Sequence, residues 1–231
     1  MDYIFPPPSV PSLAIVGRRE RFPVRRVYCV GRNYVEHAVE MGATGREPPF
    51  FFMKPADAVV PAEAGRRVAV AYPPATNDLH HEVEMVVAIG RGGANIAPVD
   101  AVRHIFGYAV GLDLTRRDRQ AEAKKQGRPW EIGKAFDQSA PIGALTQIEA
   151  TGEILAGDIV LAVNGTVRQA SDVGKLIWPV ADVISKLSEA WQLVAGDLIM
   201  TGTPAGVGAV ARGDVLSARC VGCEPIEVEF V

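Results

Sequence analysis

Residues 78–87 read DLHHEVEMVV, with two histidines and two carboxylates in five positions before the run turns apolar. In a strand, alternate side chains share a face. His80, Glu82 and Glu84 then point one way, and His81, Val83, Met85 and Val87 point the other. Two carboxylates roughly 6–7 Å apart on one face repel unless a cation lies between them. Glu-x-Glu completed by a third carboxylate suits a hard divalent ion such as Mg2+, Mn2+ or Ca2+. Asp113, which ends the apolar run in GYAVGLDLTRRD (107–118), is the candidate third. Each residue also has a plainer reading. Glu82 and Glu84 can belong to a solvated strand edge, and Asp113 can simply cap the helix that follows.

Other residues could join such a centre. Gln120 lies one to two turns beyond Asp113. Lys134, after a glycine in RPWEIGKAFDQSAPIG (128–143), is either an electrophile near a developing oxyanion or a solvated loop lysine. His37 and Glu40 sit at i, i+3 in YVEHAVEMG (34–42). On a helix that spacing pairs a general base with its orienting carboxylate, or makes an ordinary surface pair. Gly42 and the PPFFF run behind it read as a mobile lid, 34–50. TGTPAGVG (201–208) has no G-K-[ST], so it is not a phosphate-binding loop, but its glycines let backbone amides approach a ligand. VNGTVRQ (163–169) holds Asn164-Gly165, a hairpin signal, and reads as structural.

The elements that must position these residues are mostly strands. RRVYCVGRNY (25–34) predicts a strand ending at Gly31, and 45–60 a loop, an apolar strand and a turn at Lys54–Asp57. Further strands are expected near 66–71, 82–90, 107–113, 158–164, 197–201 and 225–231. One helix is expected near 115–126. Another begins at Pro179, with Val180, Val183, Ile184, Leu187 and Trp191 at helical spacing. Many short strands with few helices predict a β-rich α+β domain. The expected division is a small N-terminal region, 1–60, and a catalytic metal-binding domain, 61–231.

The chain has 231 residues, 48% of them apolar and 22% charged, with a formal net charge of −3. No basic stripe of a nucleic-acid binder is present. Arg116, Arg117, Arg119, Lys124 and Lys125 are interleaved with Asp118 and Glu122, which predicts a mixed-charge helix surface. No run approaches the roughly 18 apolar residues of a membrane span. The start, MDYIFPPPSVP, lacks the features of a signal peptide. Three cysteines do not make a disulfide framework, so a reducing cytoplasm is expected. CVGC (220–223) reads as a turn or bulge with incidental thiols, Cys220 and Cys223.

Taken in order, YCVGRNYVEHAVEMG, FFMKPADAV, HHEVEMVVAIG, GYAVGLDLTRRDRQ, GKAFDQSAPIG and GDLIMTGTPAGVG resemble the fumarylacetoacetate hydrolase family. The resemblance runs from about Arg26 to the C-terminus and is greatest to the short acylpyruvases within that family. It implies a β-rich mixed-sheet roll, a homodimer and a divalent metal, usually Mg2+ with Mn2+ or Ca2+ accepted. Glu82, Glu84 and Asp113 fall where the family's metal carboxylates lie. Arg117, Gln120 and Lys134 match its substrate and oxyanion contacts, Thr203 a substrate contact, and His37 with Glu40 the water-activating lid dyad. An all-oxygen ligand set leaves neither His80 nor His81 on the metal. The implied activity is hydrolysis of a C–C bond in acylpyruvates (2,4-dioxo acids), with fumarylpyruvate of gentisate breakdown the expected substrate. Oxaloacetate decarboxylation or tautomerisation, 2-hydroxymuconate-type isomerisation and a non-catalytic metal-binding role are the alternatives.

Overall fold

The run that opens the candidate site forms the strand Val83–Ile89, and all seven of its residues are buried. Val83, Met85, Val87 and Ile89 face one apolar cluster, and Val86 and Ala88 face another. Each fully buried Val, Met or Ile contributes roughly 1.5–3 kcal/mol. That burial holds the strand in place against the cost of dehydrating the glutamates at its entry. The computed structural model describes residues 2–36, 47–63 and 65–231. The expected pair His37 and Glu40, and most of the expected lid, lie outside the described residues.

Val83–Ile89 lies at the middle of a mixed sheet. Its strand order is Phe50–Lys54, Arg26–Gly31, Asp197–Met200, Val83–Ile89, Ile105–Leu112, Ala140–Gly143 and Val59–Ala62, and Thr146–Gln147 also pairs with Ile105–Leu112. Two of its pairings are parallel, Arg26–Gly31 with Asp197–Met200 and Ala140–Gly143 with Val59–Ala62. The division expected near residue 60 falls inside Val59–Ala62, and strands from both sides of it share this sheet. A five-stranded sheet, Thr166–Asp172, Asp158–Val163, Val215–Cys220, Ile226–Phe230 and Arg67–Val70, packs over the larger apolar cluster. A three-stranded sheet of Thr115–Arg116, Leu79–His81 and Gly208–Val210 closes the rim beside the carboxylates. With helices confined to a few connections, the chain is an α+β fold of curled mixed sheets.

The longest helix, Val180–Ala190, buries Val180, Val183, Ile184 and Leu187 as its spacing predicts. Pro179 is extended and sits just before it, so the helix starts one residue later than expected. The helix Arg117–Lys125 buries only Gln120 and Ala123. Asn164 and Gly165 both have positive φ, 50° and 78°, as the hairpin between Asp158–Val163 and Thr166–Asp172 requires. The CVGC segment is the end of a strand and a turn, with Cys220 and Cys223 free thiols. Among the described residues no helix is long and apolar enough to cross a membrane.

Candidate metal centre and substrate cleft

Strand register assembles the carboxylates. Val83 pairs with Leu112 and Glu84 with Gly111, so Glu82 comes opposite Asp113, whose N–H donates to the Glu82 carbonyl at 2.8 Å. Glu82, Glu84 and Asp113 are all buried and offer oxygens within 4.8 Å of one another. The solvated-edge reading of the glutamates therefore fails. So does the cap reading of Asp113, because Thr115–Arg116 forms a strand and the helix begins only at Arg117.

Three cations meet these anions. Lys134 ends the short helix Glu131–Lys134 and is 2% exposed, so it is no solvated loop lysine. Its Nζ donates to Glu82 Oε2 at 2.8 Å, Asp113 Oδ2 at 2.7 Å and Thr115 Oγ1 at 2.7 Å. An ammonium has three donors, so all of them are engaged. Burial alone would lower the Lys134 pKa, but the Asp113 and Glu82 carboxylates outweigh it and raise it. Lys54 Nζ stands 2.8 Å from Asp113 Oδ1 and donates to the Leu114 carbonyl at 3.1 Å and to that of Lys134. Lys54 was expected in a turn. Instead it ends the strand Phe50–Lys54 and is 1% exposed. Arg117 Nη2 donates to Glu82 Oε1, and Arg117 Nη1 to Gln120 Oε1 at 2.5 Å. The i, i+3 spacing turns this pair inward, so Arg117 leaves the mixed-charge surface expected of its helix.

Glu84 receives none of these cations. Among the described residues it is met by the Gly202 N–H, which donates at 2.7 Å to Oε2. Gly202 has φ 102°, which favours glycine, and a Cβ there would come 2.7 Å from Asn33 Cβ. The TGTP turn thus brings one backbone amide onto the carboxylate. Burial, then the charges of Asp113 and Glu82, push the Glu84 pKa well above the usual carboxylate range. Asp113 Oδ1 is buried and has no hydrogen-bond partner among the described residues, its contact with Lys54 being one of charge. Among the described residues, Glu84 is thus the carboxylate of the three with no side-chain cation against it, while Asp113 meets two. Trans oxygens lie about 4 Å apart across Mg2+ and about 5 Å across Ca2+, so an all-oxygen group of this size fits one hard divalent ion.

The histidines act behind the carboxylates. His80 Nε2 lies 2.8 Å from Asp78 Oδ1, and Arg117 Nε donates to its Nδ1 at 3.4 Å. Burial and then Arg117 lower the His80 pKa, which agrees with a neutral ring protonated on Nε2. His81 faces the other way onto Gln169, a residue with no exposed surface in the five-stranded sheet. Val83 N–H donates to Gln169 Oε1 at 3.1 Å, while Gln169 Nε2 donates to the Pro204 carbonyl and to Thr203 Oγ1, both at 2.8 Å. The two backbone groups leave the amide one orientation. His81 must then donate from Nδ1 at 2.9 Å, and Thr203, accepting at its oxygen, keeps its O–H for the cleft. Gln169 was absent from the expected site because its hairpin read as structural. Its partners lie 34 and 88 positions away in sequence, and no local pattern marks them.

Glu82, Glu84, Asp113, Arg117, Gln120, Lys134 and Thr203 line one cleft. Phe52 and Trp130 form an aromatic wall, with ring centroids 5.9 Å apart and Lys134 Nζ 5.1 Å from the Phe52 ring. Arg32 completes the lining.

Residues 26–230 match the family described as fumarylacetoacetate hydrolase C-terminal. A fumarylpyruvate hydrolase from Ralstonia sp is 42% identical over 182 residues, 79% of this chain and 92% of its own length. The oxaloacetate tautomerase YcgM of Escherichia coli (strain K12) is 40% identical over 197 residues, 85% of this chain and 88% of its own. The crystal structure of fumarylpyruvate hydrolase from Pseudomonas aeruginosa, in complex with Mn2+ and pyruvate, superposes with a TM-score of 0.98 at 52% identity, covering 100% of this chain and 99% of that one. A match over nearly the whole chain, in a fold that gathers three buried carboxylates at one cleft, makes this chain a member of the fumarylacetoacetate hydrolase family.

Proposed function

We propose that the chain is a divalent-metal-dependent hydrolase of acylpyruvates that cleaves fumarylpyruvate to fumarate and pyruvate. The observation that carries this reading is the buried group Glu82, Glu84 and Asp113 at one end of a cleft otherwise lined by cations and aromatic rings. The relatives support the choice of substrate, since a 52% identical structure is a fumarylpyruvate hydrolase holding Mn2+ and pyruvate. Mg2+ is the proposed ion, and a homodimer in the cytoplasm is the proposed state.

Charge supports the same ligand. The three carboxylates are matched by Lys54, Lys134 and Arg117. A divalent ion added to that balance, with Arg32 also in the lining, leaves the cleft net positive, which suits an anionic substrate. When bound, the ion supplies Lewis acidity at the 2-oxo acid end of the substrate. Thr203, oriented by Gln169, offers its O–H to the ligand, and Arg117 holds Gln120 Oε1 so that the Gln120 amide N–H can also be presented. Water adds its hydroxyl to the acyl carbon and its proton to C3, so that the C3–C4 bond breaks. His37, oriented by Glu40, is the proposed base for that water. Lys134 can serve an oxyanion only by releasing one of its three present acceptors. Phe52 and Trp130 keep bulk water from one wall.

A second reading, oxaloacetate tautomerisation, is favoured by the 40% identical Escherichia coli relative. The two separate when purified protein with Mg2+ is given fumarylpyruvate and oxaloacetate in parallel. The proposal expects fumarate and pyruvate from the first at the higher kcat/KM. Fast oxaloacetate turnover with inert fumarylpyruvate sinks it.

A further inference from the structure

Arg32 is the cation that the carboxylate centre does not use. It lines the same cleft as Glu84 and Thr203, and also an extension of that cleft toward Pro49, Phe50, Ile177 and Trp178. Its Nε is buried with no hydrogen-bond partner among the described residues, and its guanidinium carbon lies 5.7 Å from the centre of the Phe50 ring. A buried donor left unpaired is destabilising, and a bidentate carboxylate is its natural complement.

The backbone holds this arginine in an unfavourable conformation. Arg32 has φ 57°, in the left-handed region that residues with a side chain rarely adopt. Its neighbours enforce it. Asn33 receives the Trp178 N–H at 2.7 Å and donates to the carbonyls of Thr201 at 2.8 Å and Trp178 at 3.0 Å. Gly31 lets the Phe50 ring lie against the chain, where a Cβ would be 2.0 Å from the ring. Strain held by surrounding structure is a mark of functional positions. The charge nearby is also positive. Burial, then Arg32 and Arg117, lower the pKa of Lys124. Glu47 lines the extension as well, so an anionic ligand must meet the Arg32 side of it.

We propose that Arg32 binds the distal carboxylate of the substrate and is the residue by which the cleft selects 2-oxo acids carrying a carboxylate at both ends. This rests on the reading that the carboxylate triad and its ion take the 2-oxo acid end. The ligand then bridges the two ends of the cleft, its middle along Phe52 and Trp130. Arg117 cannot take this role without leaving Glu82 and Gln120, whereas Arg32, among the described residues, gives up only its contact with Phe50.

The test uses two ligands of equal length that lack the 4-oxo group and cannot be hydrolysed, 2-oxoheptanedioate and 2-oxoheptanoate. Binding is measured by calorimetry with saturating Mg2+ for the wild type, Arg32→Lys and Arg32→Met. The wild type is expected to prefer the dicarboxylate by on the order of 100-fold. Arg32→Met should remove most of that preference and Arg32→Lys should keep part of it, because a lysine retains the charge without the fork. A wild type without preference overturns the proposal. So does an Arg32→Met protein that weakens both ligands by one common factor, since that is the result of a structural role. If Arg32→Met does not fold, the wild-type preference and the Arg32→Lys ratio still decide. Preference for the dicarboxylate without fumarylpyruvate hydrolysis removes the proposed reaction and leaves Arg32 its role. Hydrolysis without the preference does the reverse.

Discussion

The two ends of the cleft are built on opposite electrostatic plans. At the triad end, Lys134, Lys54 and Arg117 all have carboxylate partners within the chain. At the other end Arg32 lies against a ring and, among the described residues, has no ion-pair partner. The first end resembles a buried ion-pair network, in which each charge fixes its neighbour's position. Such networks owe their geometry to mutual pairing, and removing one member leaves another charge uncompensated. The second end is incomplete by itself. A ligand carboxylate would finish it, so affinity there depends on the ligand and not on the fold. Within the triad end the same contrast recurs at smaller scale. Glu82 is paired with two cations, while Glu84 has a backbone amide.

The largest expected effect breaks this contrast at Glu84. Glu84→Gln keeps an acceptor for the Gly202 N–H but removes the charge. It should lower kcat/KM on fumarylpyruvate by on the order of 10⁴-fold and abolish the Mg2+-dependent rise in Tm, while the metal-free Tm does not fall. A retained Mg2+ shift would falsify the ligand assignment. Next comes Lys54→Met, which takes the ammonium away from Asp113 Oδ1 and from the carbonyls of Leu114 and Lys134 in the interior. A loss of about 3–5 kcal/mol is expected from urea unfolding at unchanged slope. Adding Asp113→Asn should restore part of it, and no recovery would mean that the pair is not the cause.

Gln169→Leu is smaller, because it acts through Thr203 and His81. We expect a drop of roughly 10–100-fold in kcat/KM, typical of groups that orient a metal site's contacts, with Mg2+-dependent stabilisation retained. Loss of that stabilisation would show a broader structural role. The smallest effect is a pH dependence. Glu84 has a folded pKa above its unfolded value, so the folded protein without metal binds a proton the unfolded chain has released. Stability of the metal-free protein should therefore fall as pH rises from the ordinary glutamate range toward the raised value. Mg2+ requires the ionised carboxylate, so its stabilising shift should grow over the same window. Tm series with EDTA and with Mg2+ check both slopes, and Glu84→Gln should flatten the first.

Much of the triad end was legible because it rests on short-range patterns. Alternation in HHEVEMVV puts Glu82 and Glu84 on one face, and Asp113, Gln120 and Lys134 stood out from their local context. The family resemblance placed Arg117 and Thr203 without a geometric reason for either. Lys54 was misread as a turn residue, since a lysine ending FFFMK has no local reason to be buried. It is buried because Asp113 and the carbonyls of Leu114 and Lys134 converge on it from distant segments. Gln169 and Arg32 escaped for the same reason. One was hidden in an ordinary hairpin, and the other lay in a strand end whose left-handed turn no residue type announces.

Residue types and their periodicity were enough for a β-rich α+β chain with carboxylates entering a buried strand, because alternation and burial are properties of neighbours in sequence. Which charge meets which was decided by the register of Val83–Ile89 against Ile105–Leu112 and by the sheets packed around them. A shift of one residue would turn Glu84 to the other face. Removal from water also strengthens every charge interaction that remains. Pairing and burial are long-range outcomes, so only the folded chain distinguishes the matched cations at one end of the cleft from the unmatched Arg32 at the other.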